Sequence, residues 1–480
     1  MGDDGFVPLL ARRWTRRDSL TLVFDLDPRA RWQDGAPVTA RDVVFTFERA
    51  RNRDLTPKLA PLLRLITSVR AEGTRRVVFQ FSRAYAGQMY DAAWQVQPLP
   101  SHLLERIPPD KLAESEFARH PVGNGPFTWV RLVPGEYVEL AANPRFFLGA
   151  PRLDRVFFRF AADGDARMNL LLSGAADALE NVLPLSNVRR VQDDPDLRLV
   201  VVPSLVYGYL LFNERGRADR TQPHPILSDV AVRRALTMAI DRDGLGRAVF
   251  GPYSSVPVGP VSQMLWIRDP AATPLPYDTA QARRLLAARG WLDHDGDGVL
   301  DRDGTPLALT LNVPNTSAVR RLLALQIQEQ LRAIGVKIDI ASLAFEVFMQ
   351  RRVGGEFDLD LSGATQDPSP SGLAEVWSCA GIGGGNVGSY CNPVVDSLFD
   401  AATFSFGDPA PIWREAVRHI ADDAPAVFLY ALSTVAAVHR RFDNVHIRPE
   451  SVWLELREWS VVPGRQITRD LGAAPAAPGP

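Results

Sequence analysis

The sequence predicts an α/β protein with more than one sheet. Three observations carry that prediction. Short runs rich in branched and aromatic residues recur along the whole chain, each bounded by turn formers. Amphipathic segments with helix start and stop signals fall between them. The 480 residues, 46% hydrophobic and 23% charged, have the balance of a globular protein and a length that fits roughly two to four domains.

Taken in order, the expected strands are Leu20–Leu26, Arg76–Phe81, Tyr137–Leu140, Val156–Phe160, Leu197–Val202, Leu307–Leu311, Lys337–Ile340, Asp358–Leu361 and Val427–Tyr430. Helices carry clearer punctuation. Thr39 caps a segment whose third residue is Asp42 and which runs through Phe47. Ser228 caps Asp229–Ile240, where Val232, Leu236 and Ile240 recur at helical spacing. Asp278 and Gln281 form a capping-box pattern for a helix that stops at Gly290. Val319–Ile334 is amphipathic and stops at Gly335. Breaks containing Pro and Gly lie at Trp32–Pro37, His120–Pro126 and Gly251–Pro276, the last being an expected interdomain crossing.

Composition excludes several function classes. The net charge is −2 and the pI about 6.4, and the arginines are scattered, so neither nucleic acid nor an anionic membrane is an expected partner. Lys appears only at Lys58, Lys111 and Lys337. No apolar run approaches the roughly 18–20 residues that span a bilayer. Met1–Gly5 has neither a basic nor an apolar region of a secretion signal. The tail Gly472–Pro480 is of low complexity and expected to be disordered. Two cysteines, Cys379 and Cys391, leave two readings open: a disulfide in an oxidising compartment, or two free thiols.

Local motifs for chemistry are weak. Asp293, Asp295 and Asp297, with Gly298 and Asp301, begin like a calcium loop, but Gly304 stands where the bidentate Glu belongs. An acidic turn without metal is the better reading. Gly381–Asn386 lacks the Lys-Ser/Thr of a phosphate loop and reads as a flexible loop. None of the seven histidines falls in a hydrolase or zinc signature, and no cofactor motif is visible. Trp94, Tyr207, Tyr209, Trp377 and Tyr390 lie beside loops or at strand ends, where aromatics can wall a ligand cleft, although core filling is the commoner role of such residues.

A set of short motifs follows in a fixed order from about Leu9 to Trp459. Its motifs are Leu10-Ala11 with Trp14; Trp32-Gln33-Asp34-Gly35 through Thr39, Asp42 and Phe45; Gly123-Asn124-Gly125-Pro126-Phe127; and Asn143-Pro144 through Gly149 and Pro151. Next come Phe212-Asn213 and Asp229 through Arg233, Ala235, Leu236, Ala239, Ile240, Asp241 and Arg242. Then follow Tyr277-Asp278 with Gly290-Trp291 and Asp295-Gly296-Asp297-Gly298, and finally Ile327-Gln328 with Gly335-Val336. Each is weak alone, but their order is specific, and it resembles that of the family 5 extracellular solute-binding proteins, the oligopeptide, dipeptide and nickel binders of ABC importers.

The resemblance implies a two-lobed fold of the type II periplasmic-binding-protein kind with an extra subdomain and mixed sheets. Residues 1–30, 122–250 and 432–465 would form lobe I, 31–121 the extra subdomain, 251–431 lobe II and 466–480 a disordered tail. The implied function is binding without catalysis. A peptide-like or other small solute is captured between lobes by hinge closure and delivered to the permease subunits. Tyr207, Tyr209, Trp377, Gln366, Asp367, Asn124 and Trp94 are the expected ligand contacts. A monomer without metal or cofactor is expected, periplasmic or extracellular at the membrane. The resemblance also favours a Cys379–Cys391 disulfide.

Three departures qualify this. Dipeptide-type members carry an Asp for the peptide ammonium where Ala364 stands, and an Arg for its carboxylate in the region of Val313-Pro314-Asn315-Thr316. Losing two charge-assisted bonds, each worth roughly 1.5–3 kcal/mol, predicts that a free dipeptide is not the ligand. A longer or blocked peptide, or a neutral or sugar-like solute, fits better. The chain also opens past the place of the family's signal segment and first lobe strand. The rival readings are a hydrolase and a ligand-sensing module on the same fold; no nucleophile signature supports the first and no helix-turn-helix the second.

Overall fold

Strand formers at alternating positions and well-capped helices give two compact units in the computed structural model. It describes residues 5–471 apart from 53, 57, 58 and 406. The expectations for Met1–Asp4 and Gly472–Pro480 lie outside the described residues. One unit comprises Met1–Ala161, Thr403–Phe406 and His439–Pro480; the other comprises Ala162–Ala402 and Gly407–Val438.

In the first unit, β1 (Ala11–Asp18), β2 (Thr21–Leu26), β3 (Ile66–Ala71) and β4 (Arg76–Phe81) form an antiparallel sheet in the order β1–β2–β4–β3. Helix α1 (Ala40–Ala50) packs Val43 and Phe47 on this sheet, with Phe47 edge-on to Phe79 at 4.9 Å. The expected cap at Thr39 is present, and Asp42 does more than close it. Its buried carboxylate accepts from Thr39 N–H at 2.7 Å, Ser101 Oγ at 2.6 Å and Trp32 Nε1 at 3.3 Å. A second sheet joins β5 (Phe127–Val133), β6 (Tyr137–Ala142) and β7 (Arg155–Arg159) in sequence order. Trp453, from the chain's last stretch, sets its ring edge on Phe158 at 5.6 Å. Phe404 packs against Tyr85 with ring centres 6.3 Å apart.

The second unit is built on seven strands: β8 (Ala178–Leu179), β9 (Leu197–Phe212), β10 (Ser254–Ser255), β11 (Ala308–Pro314), β12 (Lys337–Leu343), β13 (Leu359–Thr365) and β14 (Ala426–His439). The order is β10–β14–β9–β13–β11–β12, with β8 paired to β14. β11 runs parallel to both β12 and β13, while β9 is antiparallel to β13. Helices α2 (Val230–Met238), α3 (Thr279–Ala288) and α4 (Ala318–Arg332) share one apolar core with this sheet, including Leu236, Leu286, Ile327, Leu311 and Leu361. Helix α5 (Phe345–Gly354) links β12 to β13. The stretch Gly251–Pro276 stays inside this unit, where Leu265 and Ile267 enter its core.

Two local expectations change. Asp229, not Ser228, caps α2: its carboxylate accepts from Ala231 N–H at 2.9 Å, while Ser228 Oγ turns back to the His224 carbonyl. β9 does not stop before Pro203 but continues to Phe212. Ser204, beside the donor-less proline, reaches the Leu432 carbonyl with its hydroxyl at 2.8 Å.

Candidate functional site

The register of the second unit's sheet gathers three chain reversals at one edge. Pro314 of β11 lies beside Leu343 of β12, and Thr365 ends β13, so the three parallel strands finish on the same side. In open α/β sheets the space beyond the carboxyl ends of the strands is where ligands bind. Ser317 caps α4 just after β11, its Oγ accepting from Arg320 N–H at 3.3 Å.

Two facing glycines lie at this edge, one exposed and one covered by a ring. Gly208 of β9 is paired with Gly363 of β13. A Cβ on Gly208 would stand 2.1 Å from the Tyr430 ring, and one on Gly363 would stand 3.2 Å from the Tyr207 carbonyl and 3.7 Å from Arg320 Nη2. The Arg320 guanidinium thus lies against an exposed glycine. It makes no ion pair among the described residues, although Asp360 and Tyr430 feel its charge.

The alternate residues of the same strands point to the other face. Tyr207 and Tyr209 stack at 5.4 Å, and Trp377 stands edge-on to Tyr209 at 6.0 Å. All three are buried with Phe428 in the second core of this unit. Arg352 reaches into it from α5, donating to Tyr209 Oη at 2.9 Å and to Ser362 Oγ at 2.6 Å, and pairing with Asp360. Burial pushes the Asp360 carboxyl above its ordinary value despite Arg352. Its Oδ2 accepts no hydrogen bond among the described residues.

Gln366 continues β13 at the carboxyl edge. Its side chain accepts from Ser262 N–H at 2.6 Å and donates to the Pro260 carbonyl, tying that loop to the strand end. Asp367 follows, exposed. Tyr207, Tyr209, Trp377, Gln366 and Asp367 therefore belong to one unit, and Asn124 and Trp94 to the other. Asn124 is half-buried in the Gly123–Pro126 turn, which Gln33 holds by accepting from Gly123 N–H at 3.0 Å and donating to the Phe127 carbonyl at 2.8 Å. Trp94 is 44% exposed and stacks on Tyr90 at 6.1 Å.

Cys379 and Cys391 are joined in a disulfide. Inside the loop it closes, Asn386 Nδ2 donates to the Ser378 and Tyr390 carbonyls at 2.8 and 2.7 Å. Asp293, Asp295 and Asp297 converge, but their carboxylates accept from their own loop: Gly296 N–H at 2.8 Å from Asp293, and Val299 N–H at 2.8 Å from Asp297.

Residues 5–384 match the family described as bacterial extracellular solute-binding proteins, family 5 Middle. The chain belongs to this family. Its members bind solutes for transport and are not enzymes. The family 5 chain is 27% identical over 436 residues to the oligopeptide-binding protein AppA of Bacillus subtilis, covering 89% of this chain and 78% of that protein. It is 31% identical over 362 residues to a putative ABC transporter peptide-binding protein of Brucella ovis, covering 74% of this chain but only 64% of the relative. Among solved structures, AppA of Bacillus subtilis in complex with a nonapeptide superposes with a TM-score of 0.84 at 25% identity, over 95% of this chain and 90% of that one. NikZ of Campylobacter jejuni in complex with Ni(L-His) shares the fold, with a TM-score of 0.84 at 24% identity over 94% and 90% of the two chains. The mixed α/β architecture expected for the family 5 chain is therefore correct.

Sequence reasoning missed Arg320, Gly208 and Gly363. Arg320 carried a readable signal. A cation in the first turn of a helix opposes the helix dipole, so its presence just after the Ser317 cap calls for another reason.

Proposed function

We propose that this chain is the substrate-binding protein of an ABC importer, and that it seats a peptide-like solute at the carboxyl edge of the seven-stranded sheet. The observation that carries the seat is Arg320. Its guanidinium, in no ion pair among the described residues, lies beside the exposed Gly363 at the start of α4. The exposed backbone at Gly363 lets an extended ligand approach, and guanidinium and helix N-terminus both favour a carboxylate. The peptide-binding relatives support the same ligand class.

Arg320 supplies one anchor that position-by-position reading lacked. Ala364 still offers no carboxylate to an α-ammonium group, and it is partly buried against the aromatic core. The preferred solute is accordingly a longer or N-terminally blocked peptide with a free acidic end. Tyr207, Tyr209 and Trp377 shape the floor from beneath, while Gln366 and Asp367 border the seat. Permease subunits of the importer are the proposed partners, and the protein works as a monomer outside the cytoplasm.

Calorimetry with an acetylated tripeptide, its C-terminal amide and a free dipeptide tests this. The acid should bind, the amide should bind at least about tenfold more weakly, and Arg320→Met should erase that difference. Micromolar or tighter binding of the free dipeptide, or indifference to Arg320→Met, would overturn the proposed seat.

A further inference from the structure

At the end of β9 remote from the carboxyl edge, the chain enters a turn that carries three arginines. Arg215 bridges to Pro223 across it, and Gly216 N–H donates to the Gln222 carbonyl at 2.9 Å. The turn's own acid is committed: Asp219 accepts from Thr221 N–H at 2.9 Å and Thr221 Oγ at 2.6 Å. Arg217 is paired with Asp358 at 3.0 Å. Glu214 is turned to Arg233 at 3.1 Å.

Arg215 and Arg220 are in no ion pair among the described residues, although the charge of Arg215 is felt by the neighbouring Glu214 carboxyl. Among the described residues the Arg215 guanidinium donates to the Thr221 carbonyl, at 3.3 Å. Arg220 donates to Ser389 Oγ at 2.9 Å and to the Gly354 carbonyl at 3.3 Å. The fold makes room for Arg220 deliberately. Gly355, at φ +69°, ends α5, and a Cβ there would fall 0.9 Å from Arg220 Nη1. Burial and the charge of Arg215 both lower the Arg220 pKa.

The two guanidiniums line a cavity of about 410 Å³, whose apolar side is made by Val353, Ile382 and Val387. That volume is in the range of small-molecule sites, and the combination of two cations with an apolar wall is selective. We propose that this cavity is a second binding site of the protein, for a small organic acid whose carboxylate sits between Arg215 and Arg220 and whose apolar tail lies on Val353, Ile382 and Val387. It is independent of the solute seat. β9 pairs Val206 with Thr365 at the carboxyl edge and Phe212 with Leu359 at this end, a separation of about 20 Å at strand spacing. An anion here relieves the repulsion between two cations and ties the turn, the end of α5 and the disulfide loop together.

Hexanoate, acetate and 1-hexanol, titrated into the full chain with detection by ligand NMR, provide the test. Hexanoate should saturate one site, acetate should bind at least about tenfold more weakly and hexanol not measurably. Arg215→Gln should weaken hexanoate at least about tenfold. Val353→Glu changes a residue 71% exposed at the cavity lip. It should abolish hexanoate binding with an unchanged melting temperature, because it supplies a competing carboxylate. Arg320→Met should leave hexanoate binding intact, whatever becomes of the solute seat. The proposal fails if hexanol matches hexanoate, if inorganic phosphate outcompetes hexanoate, if Arg320→Met removes binding, or if no saturable binding occurs.

Discussion

Arg320 and Glu214 each hold a charge where local physics disfavours it. Arg320 faces the positive end of α4, so Arg320→Met should raise stability by about 0.3–1 kcal/mol while it removes discrimination between acid and amide. Urea unfolding beside calorimetry separates the two effects; a destabilised variant would mean that Arg320 serves packing. Glu214 is pushed up from 4.5 to about 7, chiefly by burial, with Arg233 opposing and Asp423 adding to the rise. Between those values the unfolded chain has released the proton that the folded chain keeps. The Glu214 contribution is thus complete below pH 4.5 and is lost as pH rises through 7. Glu214→Gln should be more stable than the parent above pH 7, by on the order of 2–3 kcal/mol, and equal to it near pH 4. A melting-temperature series across that range reads the crossover. At this scale the sequence was legible where a residue works locally. Asp42 announced itself by its spacing from Thr39, whereas Arg320 matters through Gly363, which only the sheet register brings near.

Elements were legible where capping and apolar period agreed, as in α1, α3 and α4. They were less so where a polar side chain could serve either of two roles, as with Ser228 and Asp229, or where a proline suggested an end that tertiary pairing overrode, as in β9. The facing glycines belong to this scale, because each is unremarkable in its own strand. Gly208→Ala places a methyl group on the Tyr430 ring, 2.1 Å away, and should cost roughly 1–3 kcal/mol in a denaturant titration. A variant as stable as the parent would show that Tyr430 moves freely. Replacing both Cys379 and Cys391 by Ser should lower stability by about 2–3 kcal/mol, equal to the effect of a reductant on the parent. An unchanged urea midpoint would mean that Asn386 alone suffices to hold the loop.

At the scale of the molecule, the chain is divided by packing into units that the strand and helix pattern does not reveal. Nothing local marks Ala161 as a boundary, and the long proline-containing stretch Gly251–Pro276 stays within one unit. The order of family motifs conveyed the fold class more reliably than any boundary signal. Because the residues that carry the proposed seat belong to the larger unit, a bound solute should raise the unfolding temperature of that unit through mass action. Scanning calorimetry with saturating peptide checks this, and an unshifted transition would count against it.

The smaller unit is assembled from stretches that precede and follow most of the larger one in sequence, with Trp453 packed on Phe158 and Phe404 on Tyr85. Residues up to Ala161 therefore meet Trp453 only after the larger unit has been made. At about 5–20 residues per second, that is a delay of tens of seconds. During that interval the aromatic faces around Phe158 and Tyr85 stand uncovered, so a chaperone has its longest opportunity on this stretch.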